Sequence, residues 1–149
     1  MTHVYVVDVL RTPVGKAPRG VFKNMLPDDL LRCTIQALQH KHETLDWALI
    51  RDVVIGCAMP EAEQGMNIAR IASLLSGLPE SVPAMTINRF CSSGVQSIAT
   101  AGAGLPQGSE PALALAGATG YVAYKKRTGR KSKRSRGKSR GKSKKSSRR

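Results

Sequence analysis

Residues 4–10 (VYVVDVL) form an almost unbroken β-branched and aliphatic run, interrupted only by Tyr5 and Asp8. A short run of this kind predicts a strand buried on both faces. Arg11, Thr12 and Pro13 end it, and residues 14–24, with two glycines and a proline among basic residues, read as a loop. Asp28 and Asp29 then precede Leu30, Leu31, Ile35 and Leu38. That spacing predicts an amphipathic helix, with acids at its start and His40, Lys41 and His42 at its end, both favourable to the helix dipole. Residues 52–58 (DVVIGCA) predict a second buried strand, and 59–65 a polar loop. Residues 67–75 (NIARIASLL) are apolar almost all round, so this helix is expected to be largely buried, and Gly77, Leu78 and Pro79 stop it. Residues 82–90 predict a third strand and 92–105 a third helix, in which Gly102 and Gly104 each cost roughly 1 kcal/mol relative to alanine. Residues 112–117 (ALALAG) complete the series as a fourth strand.

The order βαβαβαβ predicts an α/β fold, a mostly parallel sheet flanked by helices with right-handed crossovers. Charge divides the chain. Of its 24 Lys and Arg residues, 15 lie between Lys125 and Arg149, where there is no acid. The first 124 residues hold the other nine against all ten acids, a formal charge of −1. The chain therefore reads as a near-neutral folded domain, residues 1–120, and a basic low-complexity tail, residues 121–149, with disorder expected over the last 25 residues. The net charge of +14 is a property of that tail, not of the fold. Three cysteines, an odd number, together with a first apolar run too short for a secretory signal, point to a reducing, cytoplasmic setting. No run approaches the roughly 18 apolar residues of a membrane span, so no membrane partner is expected.

The segment TINRFCSSGVQSIA (86–99) carries the candidate chemistry. It would place Cys91 where the third strand gives way to the third helix. A helix start stabilises a cysteine thiolate, and the carboxyl end of a strand in an open α/β sheet is where ligands bind. Ser92, Ser93 and Gly94 would leave room for a bulky acyl group on a covalent nucleophile and for backbone approach. Free cysteine is also among the most buried residue types, so spacing alone leaves Cys91 open as a small core residue. Cys33, in an amphipathic helix, and Cys57, in a buried strand, fit the core description better. His40 and His42 read as a solvated helix end, and no metal-ligand spacing is found.

Several segments together carry a family resemblance: Arg11-Thr12-Pro13 with Gly15 and Lys16, Pro27-Asp28-Asp29-Leu30, VIGCAMPEAEQGMNIAR (54–70), LSGLP (75–79) and INRFCSSGVQSI (87–98). In this order they resemble the N-terminal part of the thiolases, most closely the degradative 3-ketoacyl-CoA thiolases of fatty-acid β-oxidation (acetyl-CoA acyltransferases), from residue 4 to about 119. The resemblance implies that Cys91 is the nucleophile. It would attack the ketone carbon of a 3-ketoacyl-CoA, hold the shortened acyl group as a thioester and yield it to CoA. The Cys91 backbone N–H would serve one oxyanion hole. CoA is then a substrate, no metal or other cofactor is implied, and a homo-oligomer is expected.

In thiolases a histidine in a Gly-His-Pro context and a second cysteine in a Cys-x-Gly-Gly-Gly context come from the C-terminal half. His3, His40 and His42 all precede Cys91, and no cysteine follows it. The resemblance thus predicts a truncated reading frame with impaired or absent turnover, an exposed apolar face and self-association. The tail offers a rival, non-catalytic reading as a polyanion-binding arm, since flexible Lys and Arg bind nucleic acid through phosphates without reading sequence. An unselected tail that clings to any polyanion is the plainer alternative. Gly137-Lys138-Ser139 and Gly141-Lys142-Ser143 lack the first glycine and the preceding strand of a phosphate-binding loop.

Overall fold

A computed structural model describes residues 4–105, 112–117 and 121–125. Its sheet has five strands: β1 (Tyr5–Val9), β2 (Ile50–Gly56), β3 (Ala84–Ile87), β4 (Ala112–Ala116) and β5 (Tyr121–Lys125). Three α-helices accompany them: α1 (Pro27–Lys41), α2 (Ile68–Leu75) and α3 (Ser93–Gly104). The spatial order is β1-β5-β4-β2-β3. β2 pairs in parallel with β3 and β4, while β5 is antiparallel to both β4 and β1. Four strands therefore share one direction and β5 alone opposes them, a mostly parallel sheet as the alternation of elements predicts.

Residues 121–125, which the charge run assigns to the basic tail, form β5 and fill the place between β1 and β4. The segment YVAY has the β-branched and aromatic character of a strand, and the sheet reads that character in preference to the charge that follows. The expected disorder of the remaining tail lies outside the described residues.

The helices cover both faces of the sheet. On one, Leu31, Ile35 and Leu38 of α1 and Ile68, Ala69 and Ala72 of α2 pack with Val53, Ile55, Leu113 and Leu115. On the other, Ala101 of α3 and Leu105 just beyond it pack with Val54, Ala114 and Ala116. Alternation along β2 and β4 divides the two cores, since successive side chains point to opposite faces. Pro27 opens α1 at its first turn, Asp28 and Asp29 follow it, and His40 and Lys41 lie in its last turn.

Three expectations need correction. β1 is not buried on both faces: Tyr5, Val6, Val7 and Val9 are exposed, and β1 lies at the edge of the sheet. α2 is not enclosed, since Leu74 and Leu75 face outward. Cys33 is exposed on α1 rather than in the core, whereas Cys57 is buried as expected.

Candidate active site

The third strand stops earlier than its apolar run, at Ile87. Residues Phe90–Ser92 then make one 3-10 turn before α3 begins at Ser93. Cys91 is the middle residue of that turn and is exposed. The alternative of a buried core cysteine is thus set aside by its position. Phe90, just before it, has φ 46°, in the left-handed region that non-glycine residues seldom enter. Strained backbone beside a reactive side chain is a recurrent feature of functional sites.

The turn is held largely by side chains. The Arg89 N–H donates to Ser93 Oγ at 2.8 Å, and the Ser93 hydroxyl donates to the Phe90 carbonyl at 2.6 Å. The Phe90 N–H donates to Asn88 Oδ1 at 2.9 Å. Arg89 also reaches forward to Gln96 Oε1 on α3. Two backbone bonds close the turn, from the Ser92 N–H to the Arg89 carbonyl and from the Ser93 N–H to the Phe90 carbonyl. The Cys91 N–H takes part in neither. It stands beside its own thiol at the positive end of α3, where a donor can meet an oxygen gaining negative charge.

Beneath the turn lies the end of β2. A β-carbon on Gly56 would sit 2.5 Å from the Ser93 carbonyl carbon and oxygen and 2.7 Å from the Gly94 nitrogen. Only glycine permits this approach of sheet to helix start. Ser93 is buried here. The small residues after Cys91 therefore serve close packing as well as access: Ser93 and Gly94 meet the sheet, and Ser92 alone of the three is exposed.

Three of the other motif segments, those around Thr12, Pro27 and Cys57, meet on the opposite face. A cavity of about 300 Å³ is lined by Thr12, Pro27, Leu31, Gly56, Cys57 and Gln64 among others. Cys91 does not line it; Gly56 belongs to the walls of both places. The Cys57 thiol donates to Gln64 Oε1 at 3.4 Å across the cavity rim. Within the same motif Asn67 and Arg70 have structural work. The Asn67 amide donates to the Ala84 carbonyl at 2.9 Å, and its Oδ1 accepts the Thr86 hydroxyl at 2.7 Å. Arg70 donates to the carbonyls of Val82 and Glu80 at 2.6 and 2.9 Å. Both residues thereby dock α2 against β3 and the loop leading to it, which aims the chain at Cys91.

The sequence singles out neither Gly56 nor Phe90, and it offers Ser93 only as a small residue beside Cys91, not as a hydrogen-bonding partner. A glycine ending a buried strand is a signal for close backbone approach, but nothing in the sequence marks Phe90 as left-handed or Ser93 as the partner of that turn. His40 and His42 close α1, across the sheet from α3. Among the described residues no group of three or more His, Cys, Asp or Glu side chains could hold a metal ion, and no helix is long and apolar enough to cross a membrane.

The fold is a layered α/β domain whose exposed cysteine sits on the turn between a strand and a helix. The model of the thiolase N-terminal domain matches residues 4–140, and the chain belongs to that family. The match runs past residue 119, into the basic segment. A 3-ketoacyl-CoA thiolase of Bacillus subtilis (strain 168) is 49% identical over 106 residues, covering 68% of this chain and 26% of the relative. A β-ketoadipyl-CoA thiolase of Pseudomonas aeruginosa is 41% identical over 115 residues, 77% of this chain and 28% of that protein. The crystal structure of the Bacillus anthracis acetyl-CoA acetyltransferase superposes with a TM-score of 0.65 at 30% identity, over 78% of this chain and 29% of that one. The chain thus spans under a third of the length of these relatives.

Proposed function

We propose that this chain carries the nucleophile of a thiolase-type acyl transfer between 3-ketoacyl-CoA and CoA. Cys91 Sγ bonds to the ketone carbon of the 3-ketoacyl-CoA, and the carbon–carbon bond to the acetyl-CoA portion breaks. The departing carbanion takes a proton and leaves as acetyl-CoA. CoA thiol then displaces Cys91 from the acyl group and returns the thiol. The observation that carries this reading is the Cys91 turn itself: an exposed thiol whose neighbouring N–H stands outside the turn's hydrogen bonds, at the start of α3. Family membership agrees with it.

Positioned acid–base groups are worth about 10²–10⁴-fold in such reactions. Among the described residues, the two histidines sit on the far side of the sheet. Acyl capture by Cys91 with slow turnover is therefore the behaviour expected of the chain by itself. Association with a second copy belongs to the same reading, supported by the exposed valines of β1.

The test is incubation of the chain with acetyl-CoA, followed by peptide mass spectrometry. Acyl transfer from this thioester forms the Sγ–carbonyl bond, breaks the CoA thioester and leaves the proton on CoA. An acetyl group on Cys91 in clear excess over Cys33, and none at that peptide in Cys91→Ala, is the expected result. Equal labelling of the two exposed cysteines would overturn the proposal.

A further inference from the structure

We infer that Ser93 is a positioning residue for Cys91, its hydroxyl clamping the nucleophile turn with help from Asn88. The inference deepens the acyl-transfer reading and rests on it.

Ser93 is buried at 4% exposure, although a serine at a helix start ordinarily faces solvent. Its side chain does not cap α3 by reaching forward. It reaches back, accepting from the Arg89 N–H and donating to the Phe90 carbonyl, and so ties together the two residues before Cys91. Both hydrogen-bonding capacities of the hydroxyl are directed at that one turn. Asn88 holds the third group, the Phe90 N–H, from the strand side. The restraint is needed because Phe90 lies at φ 46° and is 71% exposed, so packing of its own side chain does little to keep it there. An unrestrained Phe90 relaxes toward the ordinary right-handed or extended regions. Cys91, the next residue, turns with it, and its thiol and N–H are displaced together. Ser93 also rests against Gly56, so the clamp is anchored to the sheet. Ser93 touches no reacting atom; it acts through the backbone of residues 89 and 90.

The experiment follows acylation of the full chain by acetyl-CoA over a range of thioester concentrations, with Cys33 alkylation by iodoacetamide as the in-chain reference. Misplacement of a reacting group by on the order of 1 Å costs up to about 10²-fold. Ser93→Ala is expected to lower the limiting rate at Cys91 about 10- to 100-fold. The half-saturating concentration and the Cys33 rate stay unchanged, and Ser93→Thr, which keeps the hydroxyl, recovers most of the loss. A folded Ser93→Ala chain acylated at the wild-type limiting rate overturns the inference. Should Ser93→Ala lose its circular dichroism spectrum, Asn88→Ala, at an exposed position, is read by the same two measurements, and a wild-type rate there overturns the clamp. If wild-type Cys91 takes no acyl group, the acyl-transfer reading fails by itself. The ratio of Cys91 to Cys33 alkylation then decides the positioning role: lowered in Ser93→Ala and restored in Ser93→Thr it stands, unchanged it falls.

Discussion

Gly56 and Ser93 meet so closely that a single added carbon on Gly56 would come within 2.5 Å of the Ser93 backbone carbonyl. The end of one strand and the start of the nucleophile's helix are therefore set against each other without an intervening side chain. Backbone cannot swing aside as a flexible side chain can. Gly56→Ala is expected to cost about 1–3 kcal/mol, the range of overpacked sites. Urea denaturation measures the loss, and acylation of Cys91 in the folded fraction should slow as α3 is pushed outward.

Phe90 gives the opposite balance. Its left-handed backbone costs of order 1–2 kcal/mol in a residue with a β-carbon, a cost glycine does not carry. Its ring is mostly solvent-exposed, so little packing is lost on removal. Phe90→Gly is expected to leave the thermal midpoint unchanged or raised while slowing Cys91 acylation, because glycine also frees the turn to leave its native conformation. Paired calorimetry and labelling on one sample check both halves.

Asp8 ties the edge strand to the end of α1. Lys41 Nζ approaches it at 2.9 Å and His42 Nε2 at 2.6 Å, and the Val9 N–H donates to Oδ1 at 2.7 Å. Hydrogen bonding by Lys41, then by His42 and the Val9 N–H, lowers its pKa to about 2, against an ordinary value of 3.8. A carboxylate depressed on folding contributes stability that is complete above its unfolded pKa and is lost as pH falls through the folded one. The Asp8 carboxylate's contribution to the difference in stability between wild type and Asp8→Asn should thus close as pH falls from about 4 to about 2. Salt should shrink it, since the cluster lies near the surface. Asp52 works with the opposite sign: burial raises its pKa, and its Oδ1 is buried without a partner, so its charge opposes folding above its titration. Denaturation curves across this pH range for Asp8→Asn and Asp52→Asn separate these contributions.

Thr86 links β3 to α2 through one hydroxyl, which donates to Asn67 Oδ1 at 2.7 Å and accepts the Ala69 N–H at 3.1 Å. Thr86→Val keeps the shape and removes both bonds. The Ala69 N–H is left without this acceptor, at a cost of about 1–3 kcal/mol. The denaturation midpoint should fall while its slope is unchanged, because the same surface unfolds.

Much of this architecture was legible along the chain. The runs at 52–58 and 112–117 predicted β2 and β4 within two residues of their bounds, because strands buried on both faces must be apolar throughout. Asp28, Asp29 and the 3.6-residue spacing of Leu31, Ile35 and Leu38 marked α1, because charge at a helix end and apolarity on one face are local properties. β1 misled, since the same valine-rich pattern suits a central strand and this one sits at an edge. β5 was hidden behind the onset of the charge run.

The sequence by itself determined the order of elements from β1 to β4, the concentration of positive charge from Lys125 onward, and the spacing that brings a cysteine to the start of a helix. Those depend on periodicity and composition within a few turns of chain. Only the tertiary structure decided that β1 lies at the edge with β5 beside it, that Cys33 is exposed, and that Gly56 supports Ser93 from 37 residues away in the chain. It also decided what the small residues after Cys91 are for. Ser93 could have been room for a substrate; once the helix start is pressed onto the end of β2, that side chain has no path to solvent, and its hydroxyl turns to the two backbone groups that hold Phe90 and Cys91 in place.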